Sequence, residues 1–255
     1  MTQPAGTGLM DGELRIEVID RPEDIEAGFD CAANAFGNQA HDTIWMGFYP
    51  EWNKTGPEGR TRAAGRLIKQ FHNVTYDSDG NANTVFLKAT LPDSQGQRIV
   101  VGMAIWLQLS MVEGRGNRPS DDLRSSLDLE MLYPNNEAEQ RYICQLYRSL
   151  VKRRVEVTRE KETSQPPAIF HLGSCSVDPT HQRKGIATKL VQWGLDEAKR
   201  RGGLEATTEA SSMGRHVYQH LGFHGEGPDI EYHVDSEFLS RERPSNLFMR
   251  TGASQ

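Results

Sequence analysis

The stretch Cys175-Ser176-Val177-Asp178-Pro179-Thr180-His181-Gln182-Arg183-Lys184-Gly185-Ile186-Ala187 holds the end of a strand, a turn and the start of a helix. Upstream, Ala168 to Val177 reads as a strand that Asp178-Pro179-Thr180-His181 stops. Downstream, Ile186, Leu190, Val191, Gly194, Leu195 and Ala198 recur at helical spacing, so a helix is predicted over Gln182 to Arg201. Gly202-Gly203 supplies its C-terminal stop. The first N–H groups of a helix have no intrahelical partner and carry the positive end of the dipole. Gly185 and Ala187 have little side chain, so an anionic ligand can approach that backbone closely. A phosphate site and an ordinary turn share this spelling, and both readings stand at this level.

Working outward, Leu14 to Ile19 alternates and predicts a first strand. Arg21-Pro22-Glu23-Asp24 opens a helix with the stripe Ile25, Phe29, Ala32, Ala33 and Phe36. An aromatic-rich stretch from His41 to Asn53 precedes a second helix, started at Thr55-Gly56-Pro57-Glu58 and striped by Ala64, Leu67, Ile68 and Phe71. Thr84 to Thr90 and Arg98 to Leu107 predict a hairpin. Residues 110–168 are strongly charged and read as a helical insertion, with one long helix over Asn136 to Thr158. Its Lys152, Arg153 and Arg154 read as a solvated face. After the central helix come a strand at Leu204 to Ala210, a short helix at Met213 to Leu221, and closing strands at Ile230 to Val234 and Leu247 to Thr251. The expectation is an α/β (α+β) fold, a mixed, mostly antiparallel twisted sheet of about seven strands flanked by helices. One domain over 14–252, with a loose tail at 1–13, accounts for the chain.

Composition narrows the function classes. The 255 residues carry a formal charge of −6, which argues against sequence-independent nucleic-acid binding. The longest apolar run, Ile99 to Leu107, is far short of the roughly 20 residues of a membrane span. Cys31, Cys144 and Cys175 form neither a disulfide framework nor a zinc site and fit a reducing compartment. The N-terminus has no basic and apolar signal segment, so a cytoplasmic location is expected. His216 and His220 have metal-ligand spacing, but no third ligand accompanies them, and no metal is expected.

Gln182-x-x-Gly185-x-Ala187, after a strand ending Val177-Asp178-Pro179, resembles motif A of the GNAT superfamily of acyl-CoA-dependent acyltransferases. Ser211-Ser212-Met213-Gly214-Arg215-His216-Val217-Tyr218-Gln219-His220-Leu221-Gly222-Phe223 resembles its motif B, a helical Tyr shortly before Gly-Phe. The likeness is strong over 168–225 and extends to 14–107 only as element order. It implies the GNAT fold and acetyl-CoA as co-substrate. It further implies that Gln182, Arg183, Lys184, Gly185, Ile186, Ala187 and Thr188 hold the pyrophosphate, and that Cys175, Ser176 and Val177 pair with the pantetheine arm. Ser211 stands where many members have an Asn.

By the same resemblance, Tyr218 donates a proton to the departing sulfur. His171 occupies the strand position that holds a basic Glu in some members. An imidazole suits proton removal at neutral pH, and a satisfied strand histidine is the equal alternative. Glu205 and Glu209 are further candidates, as bases, as partners of a cationic acceptor, or simply as solvated residues of one strand face. In the superfamily the loop between the first two helices lines the acceptor cleft. Here that loop holds Asp42, Trp45, Tyr49, Glu51 and Trp52: the aromatics Trp45, Tyr49 and Trp52 beside carboxylates suit a hydrophobic amine, and a core-capping aromatic cluster is the equal alternative. The expected reaction is acetyl transfer to a small-molecule primary amine in a ternary complex. A protein or peptide N-acetyltransferase and a non-catalytic acyl-CoA-binding module are the alternatives. No nucleic-acid or membrane partner is expected, and a homodimer is an open assembly.

Overall fold

The structure, a computed structural model, describes residues 14–54 and 57–252. The expected tail 1–13 and the expected helix start at Thr55-Gly56 lie outside the described residues. Seven strands form one sheet in the order β1-β2-β3-β4-β5-β7-β6. They are β1 (Arg15–Val18), β2 (Thr84–Pro92), β3 (Arg98–Leu109), β4 (Ile169–Val177), β5 (Glu205–Ser211), β6 (His224–Gly225) and β7 (Asn246–Arg250). Every pairing is antiparallel except β4 with β5. The helices are α1 (Pro22–Ala32), α2 (Thr43–Phe48), α3 (Pro57–His72), α4 (Leu129–Leu132), α5 (Glu137–Glu160), α6 (Ile186–Arg200) and α7 (Arg215–His220).

The alternation of strand side chains sorts the core into two faces. Val85, Leu87, Ala104, Trp106 and Phe170 meet Ile186, Leu190 and Val191 of α6. Phe86, Met103 and Ile105 meet Ile25 and Phe29 of α1 and Ala64 and Leu67 of α3. The α6 contact needs a glycine: a Cβ on Gly194 would stand 2.0 Å from the Trp106 ring. Trp106 in turn stacks on Phe170 at 5.0 Å between centroids. The segment between β3 and β4 carries α4 and α5, and α5 lays Ile143, Leu146, Leu150 and Val151 into a separate apolar cluster with Ile44 and Tyr232.

Three local readings change. The helix expected from Gln182 begins at Ile186, because Arg183 (φ 61°) and Gly185 (φ 78°) are left-handed. The strand expected over Ile230 to Val234 is irregular, and β6 is His224–Gly225 instead. The Ile230 N–H donates to Asn246 C=O of β7, but the N–H groups of His233 and, just beyond, Asp235 donate to Ser149 Oγ and Gln145 Oε1 of α5. Ile230, Tyr232 and Val234 pack on the α5 cluster, so alternation reflects a helix contact and not a sheet face. Finally, α1 continues as a π-helical turn over Ala33–Gln39, and the aromatic stretch after it contains α2.

Candidate active site

Two strands create the site by parting. The β4–β5 pairing runs from Ile169↔Glu205 to Leu172↔Thr208 and stops there, although β4 continues to Val177 and β5 to Ser211. A bulge at this point leaves Gly173 between Leu172, opposite Trp106, and Ser174, opposite Ile105. Beyond it, the β4 edge at Cys175, Ser176 and Val177 has no β5 partner.

Two cavities open into the gap. One, of about 430 Å³, is lined by Cys175, Ser176, Val177, Ala187, Ser211, Ser212 and Gly214, and by Glu242 and Arg243 from the segment before β7. The other, of about 290 Å³, is walled by Phe29, Phe36, Trp45, Phe48, Tyr49 and Tyr147, with Gly173, Ser174, Arg154 and Glu209. Phe36, Asp42, Cys175, Ser211 and Tyr218 line both, so they mark the junction.

The larger cavity lies beside the loop that opens α6, and the residues there fit coenzyme A. Gly185 is the N-cap of α6 with no side-chain cap among the described residues, and nothing lies within 4 Å of where a Cβ would stand. The first bond into the helix is Lys189 N–H to Gly185 C=O, so the preceding amides remain for a ligand. Ser176 Oγ is buried without a hydrogen-bond partner, a polar atom waiting beside the unpaired strand edge. Gln182 plays a different part from its neighbours: it exchanges amide hydrogen bonds with Gln39 and donates to Val177 C=O, tying the loop to the π-helical turn. The Ile186 side chain is core, so only its backbone faces the loop.

Tyr218 is buried at the junction, and desolvation, with Cys175 close by, pushes its phenol pKa above the ordinary tyrosine value. Burial also pushes the Cys175 thiol up to about 12. Glu209 faces the smaller cavity with its side chain 5% exposed, gripped by Arg154 Nε at 3.0 Å and by Arg154 Nη2. Burial opposes ionisation, but Arg154 and His171 outweigh it and hold the carboxyl down at about 2. His171 is fully buried under α5, 3.3 Å from Glu209 Oε2 through Nε2 and 3.0 Å from Thr207 Oγ1 through Nδ1. It does not line either cavity, and desolvation aided by Arg154 keeps its pKa below the ordinary histidine value.

Other expected residues scatter. Trp45 and Tyr49 line the smaller cavity, whereas Trp52 packs behind them on Trp45 and against Gly37. Glu205 sits away from both cavities, paired with Arg250 and Lys161. Glu51 is consumed by Arg66, which also donates to Phe48 C=O. Arg154 corrects the sequence reading: its side chain is only 13% exposed and bonds inward to Glu209 instead of being solvated. Arg153 likewise pairs with Glu226 and Glu160, and only Lys152 is exposed. Asp42 lines the cavity as its place in the acceptor-cleft loop implied, whereas Arg154, Tyr147 and Asn246 were not singled out as site residues, and only the fold brings them there.

A parted β4–β5 pair, a glycine-opened helix and a phenol between two cavities suit an acyltransferase that draws on coenzyme A. Residues 131–223 match the acetyltransferase (GNAT) family, whose donor is acetyl-CoA. Among solved structures, arylalkylamine N-acetyltransferase 2 from Aedes aegypti is similar at 18% identity and TM-score 0.57, over 94% of this chain and 98% of that one. An agmatine N-acetyltransferase is similar at 13% identity and TM-score 0.55, over 93% and 97%. A mosquito arylalkylamine N-acetyltransferase-like protein matches at 12% identity and TM-score 0.50, over 93% and 97%. No curated protein matches the chain. No helix among the described residues is long and apolar enough to cross a membrane.

Proposed function

We propose that the chain transfers the acetyl group of acetyl-CoA to the primary amine of a small hydrophobic molecule, by direct attack while both are bound. The observation that supports this reading most is the meeting of two cavities at Tyr218, Cys175 and Ser211, one of them walled by aromatic rings. In this reading residues 14–252 act as one acyltransferase unit. The insertion at 110–168 deepens the acceptor cavity by contributing Tyr147, Leu150 and Arg154.

Acetyl-CoA supplies a carbonyl activated as a thioester and a thiolate that departs. The amides from Gly185 to Thr188, backed by the α6 dipole, hold the pyrophosphate, and Arg183 and Lys184 add charge beside them. The free β4 edge at Cys175 to Val177 takes the pantetheine amides as an added strand, with Ser211 across the gap. Tyr218 remains a protonated phenol at neutral pH and donates to the departing sulfur. Trp45 and Tyr49 line the acceptor cavity with aromatic surface, which suits an aryl group or an amine-bearing chain. The resemblance to an arylalkylamine acetyltransferase points the same way.

Thiol release from acetyl-CoA across a panel of arylalkyl, alkyl, diamine and peptide amines tests the proposal. The highest kcat/KM is expected for arylalkylamines. A preference for peptide amines would replace the small-molecule reading, and tight acetyl-CoA binding with no turnover would leave a binding module.

A further inference from the structure

Three carboxylate or imidazole groups near the junction can be asked to take the proton that the acceptor amine must lose. Geometry separates them. His171 touches neither cavity and stands behind Glu209, beneath α5. Glu209 lines the acceptor cavity only, and Arg154 occupies both of its oxygens. Asp42 alone lines both cavities, in the company of Tyr218, Cys175 and Ser211. Its Oδ1 accepts the N–H groups of Ile44 (3.0 Å) and Trp45 (2.9 Å), capping α2. Its Oδ2 has no hydrogen-bond partner among the described residues.

Burial and neighbouring charge also move the three groups in different directions from their ordinary values. Arg154 holds the Glu209 carboxyl far below the usual range, which makes it a weak base. His171 is kept below its ordinary value by burial and by the same arginine. Desolvation moves Asp42 the other way, upward, and its two backbone hydrogen bonds only partly offset this. Tyr232 is near enough to couple to it, and the titratable or charged side chains of other elements that line the two cavities with it are Tyr49, Tyr147, Arg154, Cys175, Glu209, Tyr218, Glu242 and Arg243. His41 adjoins it in the chain.

We infer that Asp42 is the catalytic base: its free Oδ2 takes the proton of the acceptor amine at the point where the two cavities meet. This inference rests on the amine-acetyltransferase reading above. The acceptor arrives as R–NH3+. One N–H bond breaks and an O–H bond forms on Asp42, leaving the neutral amine, whose lone pair attacks the acetyl carbon. As the C–N bond forms, the C–S bond breaks and sulfur takes the phenolic proton of Tyr218. The second nitrogen proton of the nascent amide returns the phenolate to phenol through solvent. Asp42 then releases its proton to water. The sum is R–NH3+ plus acetyl-CoA to the acetamide, coenzyme A and one proton. Arg154 and Glu209 form the neutral floor of the cavity and leave the proton to Asp42.

Asp42 has a second duty as the cap of α2, and the test separates the two. Asn and Ser cap helices about as well as Asp, and neither is a base. Asp42→Asn and Asp42→Ser are expected to lower kcat with an alkylamine acceptor by roughly 10²–10⁴-fold, with acetyl-CoA affinity retained. The acidic limb of the kcat/KM pH profile should vanish or move. An aromatic amine, already neutral at pH 7, needs no base to unmask its lone pair. The alkylamine-to-arylamine ratio of kcat/KM should therefore fall at least tenfold in each variant. That ratio is taken within one preparation, so partial misfolding does not alter it. Variants that keep the wild-type ratio and acidic limb would overturn the assignment while leaving the acetyltransferase reading intact. A wild-type protein inert toward every amine would overturn that reading and the assignment with it.

Discussion

Tyr218 and Cys175 lie together at the cavity junction, and the same burial gives them opposite uses. Desolvation raises both pKa values, so each stays protonated at neutral pH. For a proton donor that is an advantage. For a nucleophile, which must be a thiolate, it is a handicap. Gly214 makes the placement of the phenol feasible, since a Cβ there would stand 2.7 Å from the Tyr218 ring. Tyr218→Phe removes only the hydroxyl and keeps the ring's contact with Phe223, at 5.8 Å between centroids. If the hydroxyl acts as the C–S bond breaks, kcat and kcat/KM should fall together by about 10²-fold, with acetyl-CoA affinity unchanged. Steady-state kinetics beside calorimetric binding checks this. Lost thermal stability with normal specific activity would mark the phenol as packing alone.

At the scale of elements, α5 is bound to the sheet through charge as well as through apolar surface. Arg154 reaches Glu209 on β5, Lys161 reaches Glu205 on the same strand, and Arg153 reaches Glu226 beside β6. Positions 154 and 161 are two turns apart on the helix, and 205 and 209 share one face of the strand, so two local periods match across the contact. Breaking a buried pair by removing one partner costs about 3–5 kcal/mol, because the other charge is left desolvated. Arg154→Met should therefore destabilise the fold by that order at pH 7. The sign with pH follows from Glu209. Its folded pKa, about 2, lies below the 4.5 of an unperturbed Glu, so the stabilisation is full above about pH 4.5 and is lost as pH falls toward 2. Urea unfolding of wild type and variant should show a wide gap at pH 7 that narrows at pH 3. A gap independent of pH would locate the cost in lost packing instead. The sequence concealed this contact. Basic residues on a helix ordinarily face water, and nothing local to Arg154 signals that a carboxylate on a distant strand awaits it.

Across the whole molecule, what could be read from sequence was what depends on neighbours in the chain. Strand alternation, the α6 stripe and the Gly185 turn are local, and so are both motif resemblances; the sheet and the junction residues Cys175, Ser211 and Tyr218 came with them. Readings failed where a distant element supplied the partner: Ile230 to Val234 alternates like a strand, but its apolar side chains pack on the α5 cluster and its His233 N–H donates to Ser149 Oγ there. The role inferred for Asp42 had no signal at the residue itself beyond its place in the acceptor-cleft loop, since its spelling is that of an ordinary helix cap. The architecture has a kinetic consequence. Two cavities that meet at one junction allow donor and acceptor to be present together, so no acetyl group need rest on the protein between them. A double-displacement route would require a nucleophile at that junction, and Cys175 is the thiol there. Burial pushes its pKa up to about 12, so the thiol stays protonated at neutral pH, which disfavours it as a nucleophile. Initial velocities measured against acetyl-CoA at several amine concentrations should give intersecting reciprocal plots. Cys175→Ala should retain kcat within about tenfold, the loss being confined to packing beside the pantetheine arm. Parallel plots, with acetyl-Cys175 trapped by mass spectrometry at a rate matching turnover, would show that the junction lowers the thiol's pKa once coenzyme A is bound, and direct attack would have to be abandoned.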